Sequence, residues 1–291
     1  MDLMGDLPCV GCGYNLRGLS IRGVCSECGT PVRATILAQV DPMAEQLQPI
    51  RRPRLVSTGL IVWSMGAVLA AFTVWALRLQ EVSAELLGIR IMLGPLREFS
   101  LFGVVCSMFG AMVLVRPTVR VRPWDTCKAM SGVIAYLPLI YIHHLIQTGY
   151  DIKIGPPYIG AMVLDPIRSS IRLSEGMLII VIIMGIRGNA VALAERSLVM
   201  RLGRVDTQPL IALVWSMVLA MAGDVLFLLF GDSNGGVGGV IETLSLVMIA
   251  VGSFLFTLGL VGAAFDTVRL RPVLLQPAPG LTDIFQAEDG S

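Results

Sequence analysis

Apolar residues in this chain recur neither at every second position nor on one face of a short helix. They fill long blocks, and polar residues are confined to the gaps between the blocks. Residues 55–77 carry no charge over 23 positions, and a helix needs roughly 20 apolar residues to cross a bilayer core. Five further blocks follow at 99–115, 129–148, 176–194, 209–230 and 240–265. The block at 99–115 is short but uncharged, with Arg97 and Glu98 before it and Arg116 and Pro117 after it. The block at 176–194 is the weakest, because Arg187 and Asn189 interrupt it and mark its inner end. The last block is long enough to tilt or to extend past the bilayer. The pattern predicts an all-α membrane protein of about six transmembrane helices. Its domain order is a head at 1–33, a linker at 34–54, a membrane domain at 55–265 and a cytoplasmic tail at 266–291.

Composition supports lipid as the solvent. Charged residues make up 15% of the 291 residues and the mean hydropathy is +0.76, whereas soluble domains carry about 25% charge. A net charge of +1 and the lack of basic runs interleaved with aromatics give no footprint for nucleic acid.

Charge placement predicts the orientation. With the N-terminus inside, the inner segments hold thirteen Lys and Arg outside the head, and the outer segments hold six: Arg78, Arg90, Arg97, Lys153, Arg168 and Arg172. The positive-inside rule then puts both termini in the cytoplasm, in the cell's inner membrane. The opening MDLMGDLPCV lacks a basic n-region and an apolar h-region, so the first helix is expected to act as an uncleaved signal anchor.

A weak internal repeat runs through the blocks. Val62-Trp63-Ser64-Met65 recurs as Val214-Trp215-Ser216-Met217, and Thr118-Val119-Arg120-Val121-Arg122-Pro123 as Thr267-Val268-Arg269-Leu270-Arg271-Pro272. A parallel duplication of two hairpins and chance among apolar segments both remain open at this level.

The head carries the strongest motif. Cys9-Val10-Gly11-Cys12-Gly13 and Cys25-Ser26-Glu27-Cys28-Gly29 are two C-x-x-C-G knuckles separated by twelve residues. Two residues between cysteines let one turn aim both sulfurs at one ion, and the following Gly can adopt the left-handed conformation the turn requires. Two knuckles supply four thiolates for a closed tetrahedral site, which suits zinc, with iron as the alternative. A segment this small needs the metal in order to fold. Thiolate ligands also favour a reducing compartment. The closed site leaves no position for a substrate, so the ribbon is read as structural.

Two resemblances attach to these residues. The first knuckle through Tyr14, with its twelve-residue gap, resembles the short rubredoxin-like domain of rubrerythrins, which implies iron. Cys12-Gly13-Tyr14-Asn15-Leu16-Arg17-Gly18-Leu19 with Cys25-Ser26-Glu27-Cys28-Gly29-Thr30-Pro31 is similar to the zinc ribbon heading a group of uncharacterised bacterial integral membrane proteins. Ser26 stands where that group often has Pro. The second likeness implies a cytoplasmic ribbon tethered to a variable number of helices, and implies no reaction.

Ionisable residues inside spans are costly and default to functional candidates. His143, His144, Asp224 and Glu242, together with Glu175, all fall at one depth, in the outer half of the membrane. They form the candidate intramembrane polar site, with Asp224 and one histidine at its core. The competing reading leaves the glutamates in headgroups and the histidines at the interface beside Tyr141 and Tyr150.

No catalytic motif is present, and no enzyme activity is expected. The two histidines share one helix, so bis-histidine haem ligation from two helices is unavailable in one subunit. There is no H-E-x-x-H and no phosphate-binding loop. Gly231-Asp232-Ser233-Asn234-Gly235-Gly236 has the look of a serine-protease string, but the inserted Asn makes it a turn. Three functional readings follow. One is a binding or scaffold protein in the bilayer whose ribbon docks a cytoplasmic protein partner. The second is a small-solute permease. The third is an electron-transfer component with rubredoxin-like iron.

Overall fold

The computed structural model describes residues 3–40, 50, 52–88, 95–118, 121, 123–151, 165–200, 210–231 and 236–275. The linker residues Pro42 and Pro49, the polar turn at 232–235 and the tail at 276–291 lie outside them. Six of the described helices are long and apolar enough to cross a membrane. They are α2 Pro53–Leu87, α3 Leu96–Val113, α4 Pro123–His144, α5 Pro166–Met200, α6 Leu210–Phe230 and α7 Gly236–Leu275, preceded by the short α1 Val32–Val40 in the head. No strand occurs among the described residues, only isolated bridges.

The six helices form a closed antiparallel ring in chain order. Three tight hairpins, α2–α3, α4–α5 and α6–α7, are its main contacts, and α3–α4, α5–α6 and α2–α7 complete it. Glycines set the hairpins' closeness. A Cβ on Gly66 would lie 2.6 Å from the Ser107 backbone nitrogen, and one on Gly103 would lie 2.7 Å from that of Ala70. Gly185 meets the Lys128 carbonyl oxygen at 2.6 Å in α4–α5, and Gly223 meets that of Ser245 at 2.6 Å in α6–α7. Lipid supplies no hydrophobic drive between helices, so such close backbone packing and buried hydrogen bonds hold the bundle. Ser64 and Thr267 hydroxyls, 2.9 Å apart, and the bond from Trp75 Nε1 to Thr257 Oγ1 at 2.9 Å close the ring between α2 and α7.

Several boundaries differ from the hydropathy blocks. Helix α2 runs ten residues beyond 77, α5 starts ten residues before 176, and α7 continues into the expected tail. Charged residues depress a local hydropathy average, so each block ended where charge began, although the helix continues. The expected linker also begins inside α1, whose Val32 and Ile36 belong to the ribbon's small core. Helix α1 contacts α5, and Ile50 bridges Thr118. The ribbon therefore lies at the bundle end where α2 starts and α3 finishes.

At that end Asn189 is buried and donates to the carbonyls of Leu114 and Val115 at 2.8 and 3.1 Å. It satisfies carbonyl groups that the end of α3 leaves without helical partners. Arg187 is exposed. The two Trp-Ser motifs occupy unlike environments: Trp63 is 8% exposed inside the ring, and Trp215 is 67% exposed on its outer surface.

Candidate metal ribbon and intramembrane cavity

The two knuckles fold alike. Cys9 N–H donates to Tyr14 O and Gly13 N–H to Cys9 O, both at 2.8 Å; Cys25 N–H donates to Thr30 O at 2.8 Å and Gly29 N–H to Cys25 O at 2.9 Å. Gly13 and Gly29 have φ of 74° and 72°, where an L side chain would be strained. Asn15 explains part of the motif between the knuckles. Its Oδ1 accepts from the N–H groups of Leu7 and Arg17 at 3.2 and 3.1 Å, and Leu16 fills the ribbon core.

The four sulfurs all lie within 4.8 Å of one another, with Cys9–Cys28 at 3.5 Å and Cys12–Cys25 at 3.6 Å. A tetrahedral thiolate site with bonds of roughly 2.3 Å has sulfur–sulfur edges of about 3.8 Å, so the cage fits one ion. Burial opposes ionisation of Cys28, but the Thr30 hydroxyl and backbone N–H bring its thiol down to about 6. Cys12 gains from the Tyr14 backbone, yet burial and the neighbouring sulfurs push it up to about 12. A divalent ion would let all four act as thiolates.

The second feature lies inside the ring. All six helices line a cavity of about 280 Å³. On α6 its lining runs from Leu210 to Asp224, fourteen residues or about 21 Å of helix axis. Most of the wall is aliphatic and aromatic, with Trp63, Ile182, Leu213 and Leu260 among the lining residues.

The charges collect at the end away from the ribbon. Arg172 of α5 donates through Nη2 to Asp224 Oδ1 at 2.5 Å and to Ser169 Oγ at 3.2 Å. His143 Nδ1 stands 2.6 Å from Glu175 Oε1. Its Nε2 lies 2.7 Å from Ser100 Oγ and 2.8 Å from Gln147 Nε2. An amide nitrogen can only donate, so His143 Nε2 accepts and the ring proton sits on Nδ1, facing Glu175. A π-helical turn at Leu145–Tyr150 follows α4; such wide turns frequently occur at functional sites.

Beside this pair lies a second ionic knot. Asp151 is 3.4 Å from both Arg78 and Arg168, and Arg168, fully buried, also packs over the Tyr150 ring. Asp165 receives the Tyr150 hydroxyl at 2.5 Å and the Arg168 backbone N–H at 2.9 Å, which makes it the N-cap of α5.

The structure brings His143 and Asp224 to one cavity wall, together with Glu175. It does not bring His144 or Glu242 there: both side chains are exposed on the bundle's outer surface. His144 follows His143 by one residue, about 100° around the helix, so it faces away. Arg78, Arg168 and Arg172 belong to the outer segments between the hydropathy blocks. They are helical and paired with acids. Arg168, Arg172 and Glu175 are spaced at i, i+4 and i+7, one helical face, and Asp165-Pro166 is a helix-start signal. Those two features would have placed α5 correctly.

No protein-family model matches the chain, and neither a curated protein nor a solved structure matches it.

Proposed function

We propose that this chain is a multi-pass membrane protein that binds a small ligand within its helix ring, under a structural zinc ribbon. The observation that carries the reading is the cavity. It is apolar along most of its length and charged at one end, the usual make-up of a small-molecule site. The role is binding, with no catalytic group assigned. Zinc is preferred over iron because four thiolates in a closed cage are the usual make-up of a structural zinc site. The basic segments support an orientation with the ribbon and both termini in the cytoplasm, and the ribbon's likeness to bacterial membrane proteins supports a bacterial inner membrane.

Transport is the second reading, and one observation favours it. A cavity about 21 Å long covers most of a hydrocarbon core of roughly 30 Å, as a pathway would. A scaffold role through the ribbon's exposed face, with a cytoplasmic protein partner, is compatible with either.

Trp63 and Trp75 line the cavity, whereas Trp124 and Trp215 are exposed outside it. A Trp124→Phe/Trp215→Phe protein therefore reports on the cavity through its remaining fluorescence. Titration with a panel of small apolar and amphipathic compounds should give a saturable change for at least one. Ala67→Phe, which fills the cavity, should abolish it. No saturable response across the panel, or a response indifferent to Ala67→Phe, would refute ligand binding in the ring.

A further inference from the structure

We infer that His143 and Glu175 form a proton-binding site at the charged end of the cavity, which takes up and releases one proton at His143 Nε2. The ligand is the proton itself, and the site does not depend on whether the cavity also holds a small molecule.

Charge singles out the pair. Three acids line the main cavity and a small pocket beside it: Asp151, Glu175 and Asp224. Asp151 has Arg78 and Arg168 at 3.4 Å, and Asp224 has Arg172. Among the described residues, the charged partner of Glu175 is His143, at 2.6 Å. With the ring neutral, the Glu175 carboxylate has no counter-ion bonded to it. A proton on the ring supplies one, and a paired charge inside a membrane costs far less than a lone one. Arginine keeps its charge at every working pH, whereas histidine changes charge between pH 5 and 8. The other charged groups facing the pair are Arg78 of α2, Arg97 of α3 and Asp151 after the π-helical turn, with Arg172 of α5 and Asp224 of α6 in the same cavity wall. His144, the next residue on the same helix, is exposed on the outer surface.

The hydrogen bonds suit both protonation states. His143 Nδ1–H donates to Glu175 Oε1 in either state. With the ring neutral, the Ser100 hydroxyl donates to Nε2 at 2.7 Å, and the Gln147 amide donates to Ser100 Oγ at 3.0 Å. With the ring charged, Nε2–H donates to Ser100 Oγ over the same distance. The hydroxyl hydrogen then turns to Ala70 O at 3.4 Å. The Gln147 amide, 2.8 Å from Nε2, turns over to present its oxygen. A hydroxyl and an amide can each donate or accept. A ring held in one state would instead meet a fixed donor or a fixed acceptor at Nε2.

Water has room to reach the ring. His143, Glu175 and Gln147 line the small pocket with Arg78, Arg97 and Asp151, and its volume of about 70 Å³ holds several waters. The proton passes from a water or a buffer acid to the Nε2 lone pair, forming the N–H bond and leaving hydroxide or the buffer base. His143 and Glu175 also line the main cavity, so uptake adds one positive charge to its wall.

The chain has two histidines, so His144→Gln leaves a single one. Nitrogen-15 NMR of the histidine-labelled full chain in detergent then reads the tautomer and charge of that ring. The expected result is a neutral ring protonated on Nδ1 at about pH 8, and a reversible one-proton transition to imidazolium by about pH 5. Glu175→Gln keeps an acceptor for Nδ1–H and removes the counter-charge. It should weaken proton binding by roughly tenfold or more. Ser100→Ala/Gln147→Met keeps Glu175 and removes both acceptors for Nε2–H. It should weaken proton binding to a similar degree while the neutral ring keeps its Nδ1 proton. Circular dichroism checks that each variant is folded, and either variant alone decides.

A ring still neutral at about pH 5, or charged throughout, overturns the site. A transition that a folded variant leaves unchanged overturns the assignment to this pair. A neutral ring protonated on Nε2 overturns proton uptake at that nitrogen.

Discussion

Arg172 and Asp224 meet across the interface of α5 and α6, with Nη2 2.5 Å from Oδ1. They are 52 residues apart in sequence, and the pair closes the charged end of the cavity. Removing one partner of a buried ion pair strands the other charge. Asp224→Asn should therefore destabilise the bundle by about 3 kcal/mol, the low end for a buried pair, because Arg172 retains some access to the cavity. Arg172→Gln/Asp224→Asn should recover most of that loss, since neither charge is then left alone. Thermal unfolding in detergent, followed by circular dichroism, reads both effects.

The ribbon should depend on its ion. Its apolar core is four buried residues, Cys9, Leu16, Cys25 and Val32, with a few partly buried neighbours, too little to fold a segment of this size unaided. Elemental analysis should find one metal per chain, and none after Cys25→Ser. Arg17 and Arg22 are already exposed, so chelation should act by unfolding the backbone around them, making it cleavable by trypsin, while the bundle's melting temperature changes little. A ribbon that stays protease-resistant without metal would contradict the structural role.

Small residues set the hairpin spacing, and the effect is local. Gly103→Ala should cost about 1–3 kcal/mol, because its methyl would press on the α2 backbone. Gly262→Ala meets nothing within 4 Å. It should be neutral or stabilising by up to about 1 kcal/mol, the helix-propensity gain of Ala over Gly. Paired melts of the two variants separate packing from propensity.

Asp165 should make the start of α5 sensitive to acid. Burial works against its charge, but the Tyr150 hydroxyl and the Arg168 backbone N–H hold its carboxyl below the usual range. A depressed folded pKa contributes stability that is complete above the unfolded value, about 3.9, and that disappears as pH falls through the folded value. Asp165→Ala should cost about 1 kcal/mol at neutral pH and less as the medium is acidified. A penalty that grows with acid would contradict the capping role.

The sequence made the six helices and the metal knuckles legible for different reasons. Long uncharged blocks have no other stable solution in lipid than helices, and the doubled C-x-x-C-G spacing is itself a piece of geometry. The cavity's charged end was half legible. Asp224 and His143 stood out because each interrupts an apolar block. Arg172 did not, because it lies just outside a block and reads as a loop cation until its partner on α6 is known. His144 and Glu242 looked equivalent to the true lining residues in one dimension. Which way a side chain faces depends on helix rotation, and apolar blocks without an amphipathic period carry little information about rotation. The Trp63 and Trp215 motifs show the same limit, since matched sequence there does not give matched burial.

The central claim is that the ribbon and the cavity's charged end lie on opposite faces of the membrane, with the ribbon in the cytoplasm. Met4 in the ribbon is 89% exposed, and Leu87, at the far end of α2, is 68% exposed. Helix α2 has 35 residues, about 52 Å, so its far end clears the bilayer. Met4→Cys and Leu87→Cys, compared with the parent chain, are labelled in intact cells with a membrane-impermeant maleimide. Leu87→Cys should react in intact cells, and Met4→Cys only after permeabilisation. Labelling of Met4→Cys in intact cells, or of both sites alike, would contradict the account.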